Sequence, residues 1–145
     1  MAALTVDQAN AILRENVAPW VLELDLAVTA VDPRGQATLA MPAGERVARV
    51  GGTICGQALM ALADTAMVVA IAAALGGFRP MTTVGQTASF LRPIAGRPAV
   101  ATARLLKTGR TLAFGEVLIA AEGMDEPAVQ VSSTYALLGP APGAS

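Results

Sequence analysis

The chain is predicted to be a single α+β domain in which an antiparallel sheet wraps around one long apolar helix, with a short helix before it. Three observations lead there. Hydrophobic residues make up 54% of the 145 residues, enough to bury a sizeable core. Between Gly51 and Leu75 the sequence reads GGTICGQALMALADTAMVVAIAAAL, a glycine-rich turn opening a long, very apolar helix. After it come short apolar segments separated by Gly- and Pro-containing breaks, as antiparallel hairpins require.

The elements follow in order. Thr5-Val6-Asp7-Gln8 has capping-box spacing, which predicts a short helix through about Glu15, stopped near Pro19. Residues 21–31 and 36–41 read as two strands joined at Asp32-Pro33-Arg34-Gly35, with Pro and Gly where a turn wants them. Residues 42–50 form an irregular, charged loop before the glycine turn. The long helix stops at Gly76-Gly77, and its small residues allow a sheet to pack closely around it. Residues 81–91, 99–106, 111–121 and 128–138 are strand-like. Within the third of these, Leu112, Phe114 and Leu118 alternate with residues that are also mostly apolar, as expected where the helix or a partner covers both faces. Residues 139–145 form a small-residue, Pro-containing tail expected to be disordered. The division is therefore one domain over residues 1–138, of which 1–20 are the N-terminal helical segment; no repeat or linker divides it.

Composition narrows the function. Only 14% of residues are charged and the net charge is -1, with the ten basic residues dispersed. Such a chain has no electrostatic footprint for nucleic acid or an anionic membrane. So much apolar surface with so few charges predicts a large subunit interface. There is no histidine and one cysteine, which removes His-based triads, His ligation of metals and intrachain disulfides. The lone thiol suits a reducing cytoplasm, and no signal peptide is expected from the N-terminus. Residues 58–75 are nearly long enough to span a bilayer. They contain Asp64 and Thr65, however, and lack flanking basic or aromatic clusters, so a buried core helix is expected instead.

The chemistry centres on Asp64, the one acid in the apolar run, about two turns in. An ionised carboxylate there is costly unless paired, hydrogen-bonded or placed at a site. The glycine turn beside it offers helix N-terminal N–H groups suited to a carbonyl or an anion. Polarising donors and a carboxylate are the parts acyl transfer requires; the plainer alternative is a buried Asp capped by a hydroxyl such as that of Thr65. Gly56 and Asp64 lie about 12 Å apart along one helix. That is too far for the N–H groups of the turn and Asp64 of one chain to touch one carbonyl, so if both act on it the site is shared across a dimer.

Three motifs carry a family resemblance: Gly52-Thr53-Ile54-Cys55-Gly56-Gln57 followed by Leu62-Ala63-Asp64, then Ser89-Phe90-Leu91-Arg92-Pro93, then Ser133-Thr134-Tyr135-Ala136-Leu137. Together they resemble the PaaI-like hotdog-fold acyl-CoA thioesterases of the phenylacetate-degradation type, within the 4-hydroxybenzoyl-CoA thioesterase-like superfamily. The likeness covers roughly residues 22–138. It implies a hotdog fold, an acyl-CoA substrate, and a homodimer that can pair into a tetramer. No cofactor is expected, coenzyme A being part of the substrate, and no metal. In that family the Gly56 N–H would bind the thioester oxygen and Asp64 would be nucleophile or general base, facing the glycine turn of its dimer mate.

The departures from the family bear on the remaining candidates. The family's usual His is Cys55 here, its second Gly is Gln57, and Arg49 stands where an Asn or Gln is common. Arg49 would favour the ionised form of Asp64 if it points into the site, and is otherwise a solvated loop residue. Gln57 could orient a water or donate to the carbonyl, or simply be polar in a first helical turn. Cys55 has no histidine to activate it, although a helix N-terminus can depress a thiol pKa; the alternative is a small buried residue filling the His position. Thr65 and Met67 would line the acyl pocket or the dimer seam. Ser89, Arg92 and Arg110 would be weaker choices for coenzyme A phosphates, against a default of unpartnered surface arginines. Two other readings stand beside thioester hydrolysis. A hotdog hydratase or dehydratase usually relies on an Asp–His pair, and the absence of His counts strongly against it. A non-catalytic acyl-CoA-binding dimer would follow from the lost His and second Gly.

Overall fold

The computed structural model describes residues 3–143. Helix α1 (Val6–Asn16) starts as its capping box dictates: the Gln8 N–H donates to Thr5 Oγ1 at 3.1 Å, and the Thr5 N–H donates to Gln8 Oε1 at 2.9 Å. The strand expected from residue 21 is corrected by a one-turn helix, α2 (Pro19–Leu22), with Pro19 at its first position. Proline's fixed φ suits a helical first turn. Asp25, at a φ of 57°, then redirects the chain, and strand β1 (Ala27–Asp32) begins only after it.

The remaining elements are β2 (Gln36–Met41), α3 (Gly56–Leu75), β3 (Met81–Phe90), β4 (Ala99–Thr108), β5 (Leu112–Ala121) and β6 (Val129–Leu137). The six strands form one sheet in the order β1-β2-β4-β5-β6-β3, with every neighbouring pair antiparallel. Helix α3 lies on one face of it. Small residues meet at that contact: Ala58, Ala63, Ala66 and Ala70 from the helix, and Ala37, Ala101, Ala103 and Ala113 from the sheet, are all buried. Larger side chains such as Leu39, Leu62, Met67 and Ile119 fill the space between. On β5 the inward positions are small or β-branched, while Leu112, Phe114 and Leu118 face outward and are exposed.

Helix α3 is long and apolar enough to cross a membrane, yet 67% of its most apolar stretch is buried within the domain. It is the core helix. Between its two ends, the residues of α3 that are not fully buried are Gln57, exposed, and Met60, Ala61, Asp64 and Val68, half-buried. They recur at helical spacing and form a stripe along one side.

The sheet's two edges differ. At β1, Asn10 of α1 accepts from the Val28 N–H (2.9 Å) and donates to the Val28 carbonyl (3.0 Å), taking the place of a neighbouring strand. At the other edge β3 is ten residues long and pairs only with β6. Most of its residues are exposed, with one irregularity between Thr83 and Gly85. Beyond β6, Arg79 donates to the carbonyls of Leu138 and Gly139, so the first part of the tail lies against the start of β3. The last two residues of the segment expected to be disordered lie outside the described residues.

Candidate active site

The turn before α3 is built by Gly51 and Gly52, whose φ values of 99° and 83° lie in the region that favours glycine. Main-chain bonds then hold it. The Arg49 N–H donates to Thr53 O (2.8 Å), the Cys55 N–H to Val47 O (2.8 Å) and the Ile54 N–H to Ile94 O (2.9 Å). The last of these ties the turn to the segment that leaves β3. Between the two lies a cleft of about 430 Å³, lined by Arg49, Thr53, Gly56, Phe90, Arg92 and Pro93 among others. Its size is that of a small-molecule pocket.

Cys55 occupies the N-cap of α3 without a side-chain cap, and Gly56 is the first helical residue. Among the described residues, the N–H groups of Gly56, Gln57 and Ala58 donate to no protein acceptor. These are the free donors a helix start leaves over. The Phe90 ring sits over Gly56, where an added Cβ would come within 3.4 Å of Phe90 Cζ. The lack of a side chain here keeps the space beside the first main-chain N–H groups of α3 open.

Asp64 lies in the third turn of α3, facing the far part of β3. Its Oδ1 accepts two hydrogen bonds, from Thr83 Oγ1 of β3 at 2.8 Å and from the Tyr135 hydroxyl of β6 at 2.5 Å. Among the described residues Oδ2 accepts none, and the side chain is only partly buried. Neutral donors thus hold one oxygen and leave the other open. Tyr135 is fully buried, and burial first, then the Asp64 charge, push its phenol well above the usual range. It remains a donor across the working pH range.

The cleft brings together Arg49, Gly56 and Arg92 of the residues singled out by sequence. It does not bring in Asp64, which lies about 12 Å farther along the helix. Arg49 is exposed and donates to its neighbour's carbonyl, Val50 O, at 3.1 Å. Arg92 pairs with Glu126, so it is not the unpartnered arginine of the default reading. Gln57 is exposed in the first turn, and Cys55 is half-buried. Thr65 is buried, and its hydroxyl donates to Ala61 O of its own helix at 2.8 Å rather than to Asp64. The plainer reading of Asp64 is corrected accordingly: the hydroxyls that hold it come from Thr83 and Tyr135. Ser89 is exposed near the cleft end of β3. Arg110 sits in the β4–β5 turn, where Thr111 O accepts from the Leu137 N–H and Leu137 pairs with Met81. That is the opposite end of β3, about 30 Å from the cleft at roughly 3.3 Å per residue. No group of three or more His, Cys, Asp or Glu among the described residues converges as a metal site requires.

Sequence reasoning missed Thr83 and Tyr135 as site residues. Tyr135 stood in the third motif of the resemblance, is the only tyrosine of the chain and lies on a strand that alternates inward with Val131 and Ser133, which were usable signals. Thr83 had none, since one threonine among several in β3 is unremarkable by type.

The family description "Thioesterase superfamily" matches residues 51–128, from the glycine turn to the start of β6. No curated protein matches the sequence at a significant level. Among solved structures, a candidate thioesterase from a Silicibacter species is 33% identical, covers 96% of this chain and 96% of its own, and superposes with a TM-score of 0.83. Zebrafish thioesterase superfamily member 2 is 27% identical over 94% of this chain and 100% of its own (TM-score 0.82). A mutant of the phenylacetic acid degradation protein PaaI from Thermus thermophilus is 27% identical over 83% of this chain and 100% of its own (TM-score 0.72). The sheet wrapped around α3 is the hotdog fold, the glycine turn and core helix fall within the matched family segment, and the chain belongs to the thioesterase superfamily as a thioester hydrolase.

Proposed function

We propose that the protein is an acyl-CoA thioesterase acting on small or medium acyl groups, with a site completed by two copies of the chain. The observation that carries this reading is the Asp64 carboxylate, held through Oδ1 and open at Oδ2, beside a long uncovered strand edge. An open ten-residue edge is a template for strand pairing. Pairing β3 with β3 of a second copy would also cover the α3 stripe of Met60, Ala61, Asp64 and Val68. It would let Asp64 of one subunit approach the Gly56 turn of its mate, which one chain alone does not achieve. The outward Leu106, Leu112, Phe114 and Leu118 offer a second apolar surface on which such dimers could pair.

In this site the free N–H at Gly56 polarises the thioester carbonyl and receives the developing oxyanion. As general base, Asp64 Oδ2 takes a proton from water while the water oxygen attacks the carbonyl carbon. Collapse of the tetrahedral intermediate breaks the C–S bond, and the thiolate of coenzyme A takes up a proton. As nucleophile, Oδ2 would attack directly, and the resulting anhydride would be hydrolysed by water. The apolar cleft beside Phe90 receives part of the substrate, and Arg49 and Arg92 at its border suit the phosphates of coenzyme A.

The test is turnover on a panel of acyl-CoA thioesters, read as thiol release. Asp64→Asn should lower kcat by about 100- to 10,000-fold with dimer and ligand binding kept, and Asp64→Glu should retain part of the activity. Near wild-type turnover of the Asn variant would exclude Asp64 from the chemistry. Acyl-CoA binding without release across the whole panel would favour a non-catalytic binding dimer instead.

A further inference from the structure

We infer that Tyr135 is a positioning residue, whose hydroxyl fixes the Asp64 carboxylate through Oδ1 and so presents Oδ2 to the substrate. This rests on the reading of Asp64 as base or nucleophile. The two residues are 71 positions apart in sequence, and only the fold joins them.

The geometry favours positioning over mere core filling. Tyr135 is fully buried, with its ring among the apolar side chains between β6 and α3. Phenylalanine would fill that volume without needing a partner, whereas a buried phenol must find an acceptor. The hydroxyl finds it in Asp64, at 2.5 Å from Oδ1 and 3.1 Å from the main-chain carbonyl of the same residue. Contact with both main chain and side chain of Asp64 restricts the torsions between them. Thr83 reaches Oδ1 from a second strand, at 2.8 Å. Two donors from two strands on one oxygen set the plane of the carboxylate as well as its direction.

The surroundings leave Tyr135 no rival acceptor of equal strength. Ser133, two residues earlier on the same face of β6, is buried and its hydroxyl has no hydrogen-bond partner. The bonds the phenol donates are the two to Asp64. The phenol keeps its proton, because burial and the neighbouring carboxylate both oppose its loss.

The experiment compares Tyr135→Phe, Asp64→Asn and the double variant by steady-state kinetics on the best acyl-CoA of the panel. Thermal melting and sedimentation accompany the kinetics. Tyr135→Phe should lower kcat on the order of 10- to 100-fold, the scale of a misplaced reacting group, with KM and assembly nearly unchanged. In the Asp64→Asn background the same change should cause little further loss, because both act through one carboxylate. Wild-type kcat in Tyr135→Phe, with Asp64→Asn inactive, overturns positioning and leaves the Asp64 reading standing. A full additional loss in the double variant also overturns it, since Tyr135 would then act independently of Asp64. Wild-type turnover in Asp64→Asn overturns both. If Tyr135→Phe misfolds, Thr83→Ala removes the other donor to Oδ1 from an exposed strand; a fall in kcat without a change in KM supports the held carboxylate, and wild-type kinetics count against it.

Discussion

At one edge of the sheet, Asn10 of α1 occupies both main-chain groups of Val28, and the edge strand is six residues long. At the other edge, β3 runs for ten residues with its outer side open, and it carries Thr83, which touches Asp64. Proteins usually shield an exposed strand edge because it invites pairing with another chain. Here one edge has the main-chain groups of Val28 covered by a side chain, while the other is left open where the carboxylate lies. The contrast teaches that the open edge is the one beside the candidate site: on the proposed reading, association and chemistry would fall to the same strand.

The strongest way to break this contrast is to place like charges on the open edge. Val84→Lys together with Thr87→Lys would bring equal charges together across a two-fold axis. The expected result is a monomer by sedimentation and a loss of more than about 100-fold in kcat/KM, because the split site comes apart. Thr29→Lys on the β1 edge should leave both unchanged. An active dimer carrying the β3 lysines would show that the subunits meet elsewhere.

A second change keeps the edge and the main-chain donor at residue 56 but crowds the approach to it. Gly56→Val places side-chain atoms against the Phe90 ring, in the cleft proposed to receive part of the substrate. It should lower kcat by about 100- to 1000-fold while the dimer survives. Cys55→Ser or Cys55→Ala should alter kcat modestly, since the main-chain donor does not need the thiol. Inactive Cys55 variants beside a working Gly56 variant would make the thiol the nucleophile.

At the β1 edge the effects should fall on stability alone. Asn10→Ala leaves two main-chain groups of the buried residue Val28 without their partner. A loss of about 1–2 kcal/mol is expected in urea unfolding, with kcat unchanged. A drop in turnover at equal folded fraction would join the two edges functionally.

The smallest effect lies in the turn that joins β1 to β2. Hydrogen bonds from the Arg34 side chain and main chain hold Asp32 well below its ordinary 3.8, at about 2. A depressed carboxylate stabilises the fold above its unfolded pKa, and that contribution is lost as pH falls from about 3.8 through about 2. The group is exposed, so the effect on the melting curve should be slight. Carboxyl NMR titration of wild type and Arg34→Ala would show it, the variant titrating closer to the ordinary value.

Much of this could be read from local sequence because its causes are local. Thr5 and Gln8 cap α1 within one turn, Gly51 and Gly52 shape the turn before α3, and alternating patterns place the last four strands. Residues 21–25 misled because apolar content alone does not separate a strand from a helical turn. Pro19 and the left-handed Asp25 decided that segment. Thr65 was the nearest hydroxyl to Asp64 by number, but a helical threonine can satisfy itself on the carbonyl four residues back, and does so here.

By itself, the sequence determined the α+β class, the apolar core helix and the acid at position 64, because composition and spacing express them directly, and the family resemblance pointed to the glycine at 56. Tertiary structure alone decided which hydroxyls hold Asp64, that Arg110 lies far from the cleft, and which edge stays open. Those outcomes depend on strand order and register, which bring Thr83 and Tyr135 to one oxygen across 19 and 71 residues of chain. Long-range pairings of that kind leave no periodic trace in the sequence, since any one residue of the pair is compatible with many neighbours until the sheet has closed around the helix.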